Sequence, residues 1–238
     1  MTDNITFSGP SYIPQDEPIE RIVFLLHGYG ANGDDLIELS EPMSKRIKNT
    51  AFYAPNAPFP LEVFEFYMPV GGYQWFTLDG YNPERLKDNP DYLEDLSNKR
   101  LEDVKKVFPS LWKYIDEIAT KHNVDQSNIV IAGFSQGGFM SLLSSLCKEE
   151  KIGGVISFSG VPIGSAAADV IKQDIPVLLI HGDSDDVVPP YALDITERTL
   201  KSKNISPEIF ISSGVSHTID NKALETAINF LEKILLSK

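Results

Sequence analysis

Six short apolar runs, none with helical spacing, recur along this chain of 238 residues: Arg21 to Leu26, Thr50 to Ala54, Asn128 to Ala132, Gly154 to Phe158, Pro176 to Ile180 and Pro207 to Ile211. Bounded by Gly, Pro and Asn, they read as strands of a parallel sheet, in which both faces are covered and apolarity is continuous rather than alternating. Helical patterns lie between them. Leu101, Val104, Phe108, Leu111, Ile115 and Ile118 step by three and four, as do Leu224, Ala227, Ile228, Leu231, Ile234 and Leu235 behind Asp220, a natural N-cap. Such alternation predicts an α/β fold with a mostly parallel central sheet and helices on both faces. The length predicts one domain over residues 1–238. Pro109 inside the first helical pattern should kink that helix or divide it in two.

The segment from Phe52 to Tyr81 breaks the alternation. It holds ten aromatics, where an even spread would give roughly three, together with Pro55, Pro58, Pro60 and Pro69. That is too much proline for regular structure and too apolar for a solvated loop, so the segment should fold over something. A private mini-core, a partial lid and an acyl-binding wall all fit, and they are not exclusive.

Lys and Arg number 21 against 34 Asp and Glu, a formal charge of −13. Nucleic acid and anionic membrane surfaces are therefore poor partners, although a positive site inside one cleft is compatible with an acidic exterior. The N-terminal stretch has no basic segment followed by an apolar one, and no run of eighteen apolar residues occurs, which argues against export and membrane spanning. The lone Cys147 fits a reducing cytoplasm and reads as helix packing.

Gly133-Phe134-Ser135-Gln136-Gly137 fits the Gly-x-Ser-x-Gly pattern of a serine on a sharp strand-to-helix turn. With this glycine and serine content, chance alone would supply the pattern in roughly one chain in ten, so its flanks must carry the argument. They do: an apolar strand precedes it, and Phe139, Leu142, Leu143 and Leu146 form a helical stripe after it. Ser135 would then stand at a helix N-terminus, where unpaired N–H groups favour an oxyanion. The Gln136 N–H is the natural first donor. Leu26-His27-Gly28-Tyr29-Gly30, after an earlier strand, is the natural source of a second, placed on Tyr29.

A serine hydroxyl needs a base, and imidazole serves near neutral pH. Of the four histidines, His27 and His181 end strands in His-Gly pairs that read as structural. His122 follows a charged helix end and should be solvated. His217 remains, in a loop between a strand and the last amphipathic helix, where the order nucleophile, acid, base puts it. The acid should follow the run Pro176 to Ile180. Asp183, Asp185 and Asp186 compete there, and spacing alone does not choose among them; at least two must face solvent or cap turns.

With these motifs the chain resembles the phospholipase/carboxylesterase family of α/β-hydrolases, which includes acyl-protein thioesterases. The resemblance rests on His27-Gly28-Tyr29-Gly30 with Gly33-Asp34, on Phe134-Ser135-Gln136-Gly137-Gly138, on His181-Gly182-Asp183-Ser184-Asp185 with Val188-Pro189, and on Ser216-His217-Thr218-Ile219, and so spans most of the chain. It implies an α/β-hydrolase fold, a catalytic acid at Asp185 beside Ser135 and His217, and oxyanion donors at Tyr29 and Gln136. It further implies an acyl pocket using Trp75, Phe76 and Val188, no metal or other cofactor, and a small-molecule ester or lipid-like acyl substrate. A weak homodimer is compatible with it. The segment from Tyr67 to Asp79 looks more like bacterial members than the thioesterases of higher cells. Val215 and Ser216 stand where a small glycine-bearing pair is expected. The function so implied is cleavage of short to medium carboxylic esters or thioesters through an acyl-enzyme. The alternatives are a lysophospholipase or acyl-protein thioesterase, a dienelactone-type hydrolase, and an inactive relative that only binds ligands.

Overall fold

The computed structural model describes residues 5–15, 17–61, 72–86 and 89–237. Strands β1 (Ser11–Tyr12) and β2 (Arg21–Leu26) lead to helices α1 (Gly33–Ile37) and α2 (Ser40–Arg46) and to strand β3 (Thr50–Tyr53). A ribbon of β4 (Phe59–Pro60) and β5 (Tyr73–Gln74) precedes α3 (Pro83–Leu86) and the long α4 (Pro90–His122). The second half continues through β6 (Ile129–Phe134), α5 (Gln136–Cys147), β7 (Gly154–Phe158), β8 (Val177–Gly182), α6 (Ala192–Ser202), β9 (Glu208–Ser212) and α7 (Asn221–Leu236). Seven strands form one sheet in the order β1-β3-β2-β6-β7-β8-β9, parallel except for the antiparallel β1.

The continuous apolarity of β2 has the cause expected of it. Ile22, Phe24 and Leu26 feed the core under α4 and α5, while Val23 and Leu25 feed the opposite core with Met43 of α2 and Leu231 of α7. All five strand residues are at most 1% exposed, and each such side chain contributes about 1.5–3 kcal/mol on burial. Strands β6 and β8 run two residues beyond the apolar runs that announce them, because pairing continues through Phe134 with Phe158 and Gly182 with Ser212. That extension carries the strand ends to Ser135 and Asp183. After β2 the chain first crosses to β3 on one side and later to β6 on the other. The crevice at the carboxyl ends of β2 and β6 is thus the switch point at which open α/β sheets bind ligands.

Three expectations change. The run Pro207 to Ile211, read as covered on both faces, forms the edge strand β9, where Ile209 and Ile211 are exposed. Pro109 does not divide α4, which runs unbroken for 33 residues from its N-cap Asn89 to a left-handed Asn123. Pro109 lies on the exposed side of the helix, while Leu101, Val104, Leu111 and Ile115 pin both halves of it to one core. The excursion from Phe52 to Tyr81 does contain regular structure, the β4–β5 ribbon. Trp75 and Phe76 join the main core rather than a private one; residues 62–71 lie outside the described residues. Among the described residues no helix is long and apolar enough to cross a membrane.

Candidate active site

Ser135 joins β6 to α5 with φ 55° and ψ −115°, a conformation that costs a non-glycine residue roughly 1–3 kcal/mol. The surroundings enforce it. Its N–H donates to Phe158 O at 2.9 Å, and its carbonyl accepts from Phe139 N at 3.2 Å and Val161 N at 3.3 Å. The turn is tight enough that a Cβ on Gly137 would stand 1.9 Å from Leu26 O. The positive end of α5 therefore points at the serine.

The loop after β2 lies directly against it, since a Cβ on Gly28 would be 3.4 Å from that of Ser135. Tyr29 and Gln136 both line the cavity that holds Ser135, and neither backbone N–H makes a hydrogen bond among the described residues.

Several contacts hold this loop in place. Gly30 N donates to Tyr73 O and Tyr73 N to Ala31 O, each at 2.9 Å, and Trp75 Nε1 donates to His27 O at 2.9 Å. The Gln136 side chain accepts from Trp75 N at 2.8 Å and donates to Phe76 O at 2.7 Å. This bracing role escapes sequence reasoning, because its partners lie about sixty residues away. His27 is structural as expected. Its Nε2 accepts from Ala57 N at 2.9 Å, which leaves the proton on Nδ1 for Gly28 O at 2.7 Å, and burial holds its pKa down.

His217 Nδ1 lies 2.8 Å from Asp185 Oδ2. The other oxygen of Asp185 accepts the N–H groups of Val187 at 3.0 Å and Val188 at 2.8 Å. Burial would raise this carboxyl's pKa, but the hydrogen bond and charge of His217, with those two N–H groups, outweigh burial and hold it below the ordinary value. His181, donating Nε2–H to Val188 O at 2.8 Å, flanks the same carboxylate at 3.4 Å.

The three competing acids separate cleanly. Asp183 is exposed and accepts Gly214 N–H at 2.7 Å, fastening the loop that bears His217. Ser184 N, donating to Val215 O at 3.0 Å, adds to the fastening. Asp186 faces solvent. Ser135 and His217 share a cavity of about 590 Å³, and the imidazole packs 4.7 Å from the ring of Phe134, the residue before the serine. No hydrogen bond joins the serine hydroxyl to the imidazole among the described residues; in such sites that bond commonly tightens only when substrate enters.

Phe76 and Val188, expected to contact substrate, line this cavity. Trp75 does not. It is fully buried, with its ring 5.7 Å from His27 and its indole N–H spent on a carbonyl, so it braces the loop after β2 from behind. His122, expected to be solvated, is half-exposed and has one protein partner, with Tyr53 OH 2.6 Å from its Nε2. Burial pushes the Cys147 thiol up to about 11, which leaves it inert. Among the described residues no group of three or more His, Cys, Asp or Glu is placed to hold a metal ion.

The model of a family described as phospholipase/carboxylesterase matches residues 9–235. The chain is 30% identical to acyl-protein thioesterase 1 homolog 1 of Dictyostelium discoideum, with 90% of each covered. It is 28% identical to acyl-protein thioesterase 1 of Emericella nidulans, with 95% of each covered. Among solved structures, that of the esterase PE8 superposes with a TM-score of 0.81 at 32% identity, over 97% of this chain and all of that one.

Proposed function

Since the chain belongs to the phospholipase/carboxylesterase family of α/β-hydrolases, enzymes that split ester and thioester bonds, we propose that it does so as a serine hydrolase with Ser135 as nucleophile, His217 as base and Asp185 as orienting acid. The observation that carries this reading is the 2.8 Å contact of Asp185 Oδ2 with Nδ1 of His217, whose ring lines the cavity that also holds a conformationally strained serine.

The chemistry follows from the parts. His217 Nε2 takes the Ser135 proton as Oγ attacks the carbonyl carbon, and the N–H groups of Tyr29 and Gln136 hold the resulting oxyanion. Collapse breaks the bond to the leaving alcohol or thiol, which His217 protonates. Water, deprotonated by His217, then attacks the acyl-enzyme, and the acid leaves as Ser135 recovers its proton. Asp185 keeps the Nδ1–H tautomer throughout and steadies the imidazolium. Short to medium acyl groups fit a cavity of about 590 Å³ whose walls include Phe76 and Val188.

Thioester cleavage on S-acylated proteins is the second reading, favoured by the names of the two relatives above. A fluorophosphonate probe tests the first: Ser135 should be labelled rapidly, and Ser135→Ala protein not at all. Folded wild-type protein that stays unlabelled would return the chain to a ligand-binding role. Turnover of p-nitrophenyl esters from acetate to palmitate beside an S-acyl peptide then ranks the substrates.

A further inference from the structure

The same cavity has a buried cation in its wall. Arg100 of α4 lines it together with Leu93, Leu96 and Ser97, the successive positions of one helix face. It is only 9% exposed, yet its guanidinium is poorly satisfied. Nη1 alone has partners, Asp103 Oδ2 at 3.3 Å and Thr77 Oγ1 at 3.4 Å. The Nε and Nη2 donors make no hydrogen bond among the described residues. Asp103 is half-exposed and shared with Lys106 at 3.1 Å.

Neither Nε nor Nη2 is sealed from solvent, so the water of the cavity serves these donors, and a ligand oxyanion can displace it. Simple packing would be served better by an apolar side chain on this helix face. Arg100 shares the cavity with Ser135, and its partner Thr77 follows Phe76, whose carbonyl is bound by Gln136, the neighbour of Ser135. Asp35, the acid on the cavity wall, is exposed and spends its Oδ2 on Asn32 N at 3.0 Å. It therefore leaves the guanidinium to an incoming group.

We propose that Arg100 receives an oxyanion carried by the substrate, a carboxylate or phosphate distant from the scissile bond, so that Ser135 acts preferentially on anionic esters. The inference rests on the serine-hydrolase reading above. The planar fork suits either anion bidentately, while the apolar remainder of the wall takes the intervening methylenes. A net charge of −13 outside makes this buried fork the feature that would select such substrates.

Two matched pairs test it: mono-p-nitrophenyl glutarate against p-nitrophenyl pentanoate, and monobutyrylglycerol phosphate against monobutyrylglycerol. For the responding pair, the ratio of kcat/KM, anionic over neutral, should fall about 10- to 100-fold in Arg100→Gln, the usual effect of losing a hydrogen bond to a charged group. The ratio cancels any general loss of activity. Arg100→Lys, which keeps the charge without the fork, should fall between the two. A response in the glutarate pair assigns the anion to an acyl-side carboxylate, and one in the glycerol pair to a headgroup phosphate. Ratios unchanged within twofold in both pairs overturn the proposal. So does a wild-type enzyme that prefers the neutral member of each pair tenfold, a result that needs no variant to fold. Wild-type protein that splits neither member of either pair overturns the serine-hydrolase reading as well.

Discussion

His217 Nδ1 faces Asp185 Oδ2 at 2.8 Å, while Asp183, two residues earlier, turns away to bind Gly214 N–H at 2.7 Å. The two acids therefore have separable tasks. Asp185→Asn offers the imidazole an amide N–H and so favours the tautomer that cannot take the serine proton; kcat should fall by roughly 10⁴ with the fold intact. Asp183→Asn loosens the loop instead and should lower the thermal midpoint, with a kcat loss of at most about 10². Initial rates on p-nitrophenyl butyrate beside melting curves decide. A mild Asp185→Asn and a crippled Asp183→Asn would reverse the assignment.

Trp75 and Phe76 are adjacent, and they should respond differently. Trp75→Phe keeps a ring but strips the donor from His27 O, leaving a buried carbonyl unpaired at a cost of about 1–3 kcal/mol. Acyl preference should not move. Phe76→Ala opens the cavity wall and removes the edge-on contact with Phe139 at 5.4 Å. Its preference along a p-nitrophenyl ester series should shift to bulkier acyl groups. A shift as large in Trp75→Phe would put Trp75 back in the pocket.

The sheet is legible in the sequence because strands covered on both faces are written as unbroken apolar runs, and those at 21–26 and 154–158 coincide with β2 and β7 residue for residue. Strand ends at Phe134 and Gly182 are not legible, since backbone pairing rather than apolarity extends them. The continuity of α4 through Pro109 depends on which side of the helix faces water, which only packing decides. Spacing likewise leaves Asp183, Asp185 and Asp186 level, because the choice is made by how the loop after β8 meets the loop after β9. Arg100 and the amide of Gln136 read as ordinary helix residues until partners distant in sequence close around them.

Burial lowers the pKa values of His27, His181 and His122. Between each folded value and the unfolded one near ~6.5, the unfolded chain binds more protons, so stability rises with pH in that window and is lost as pH falls through it. Asp185, held below its ordinary value, adds a second loss on acidification, at pH below ~4. The thermal midpoint should therefore drop between pH 7.5 and 5.5, before carboxylates protonate. His27→Gln should shrink that first step. A wild-type midpoint that stays level across this range contradicts the assignment of neutral buried imidazoles at His27 and His181.

Gly28 and Gly137 both touch the serine turn, but what surrounds them differs in its capacity to give way. A Cβ on Gly137 would meet Leu26 O at 1.9 Å and His27 O at 2.5 Å, both backbone at the end of a central strand. Gly137→Ala should lose upward of about 3 kcal/mol or fail to fold. At Gly28 the nearest atoms are Phe134 Cδ1 at 3.2 Å and Ser135 Cβ at 3.4 Å, and side chains can yield a few tenths of an ångström. Gly28→Ala should therefore fold with a nearly unchanged melting point. The added methyl still displaces the Phe134 ring, which precedes the nucleophile and packs on His217, so kcat should fall by about 10- to 100-fold, with slower fluorophosphonate labelling. A folded Gly28→Ala enzyme at full kcat would mean that the contact between this loop and Ser135 has no part in turnover, and the oxyanion assignment to Tyr29 would go with it.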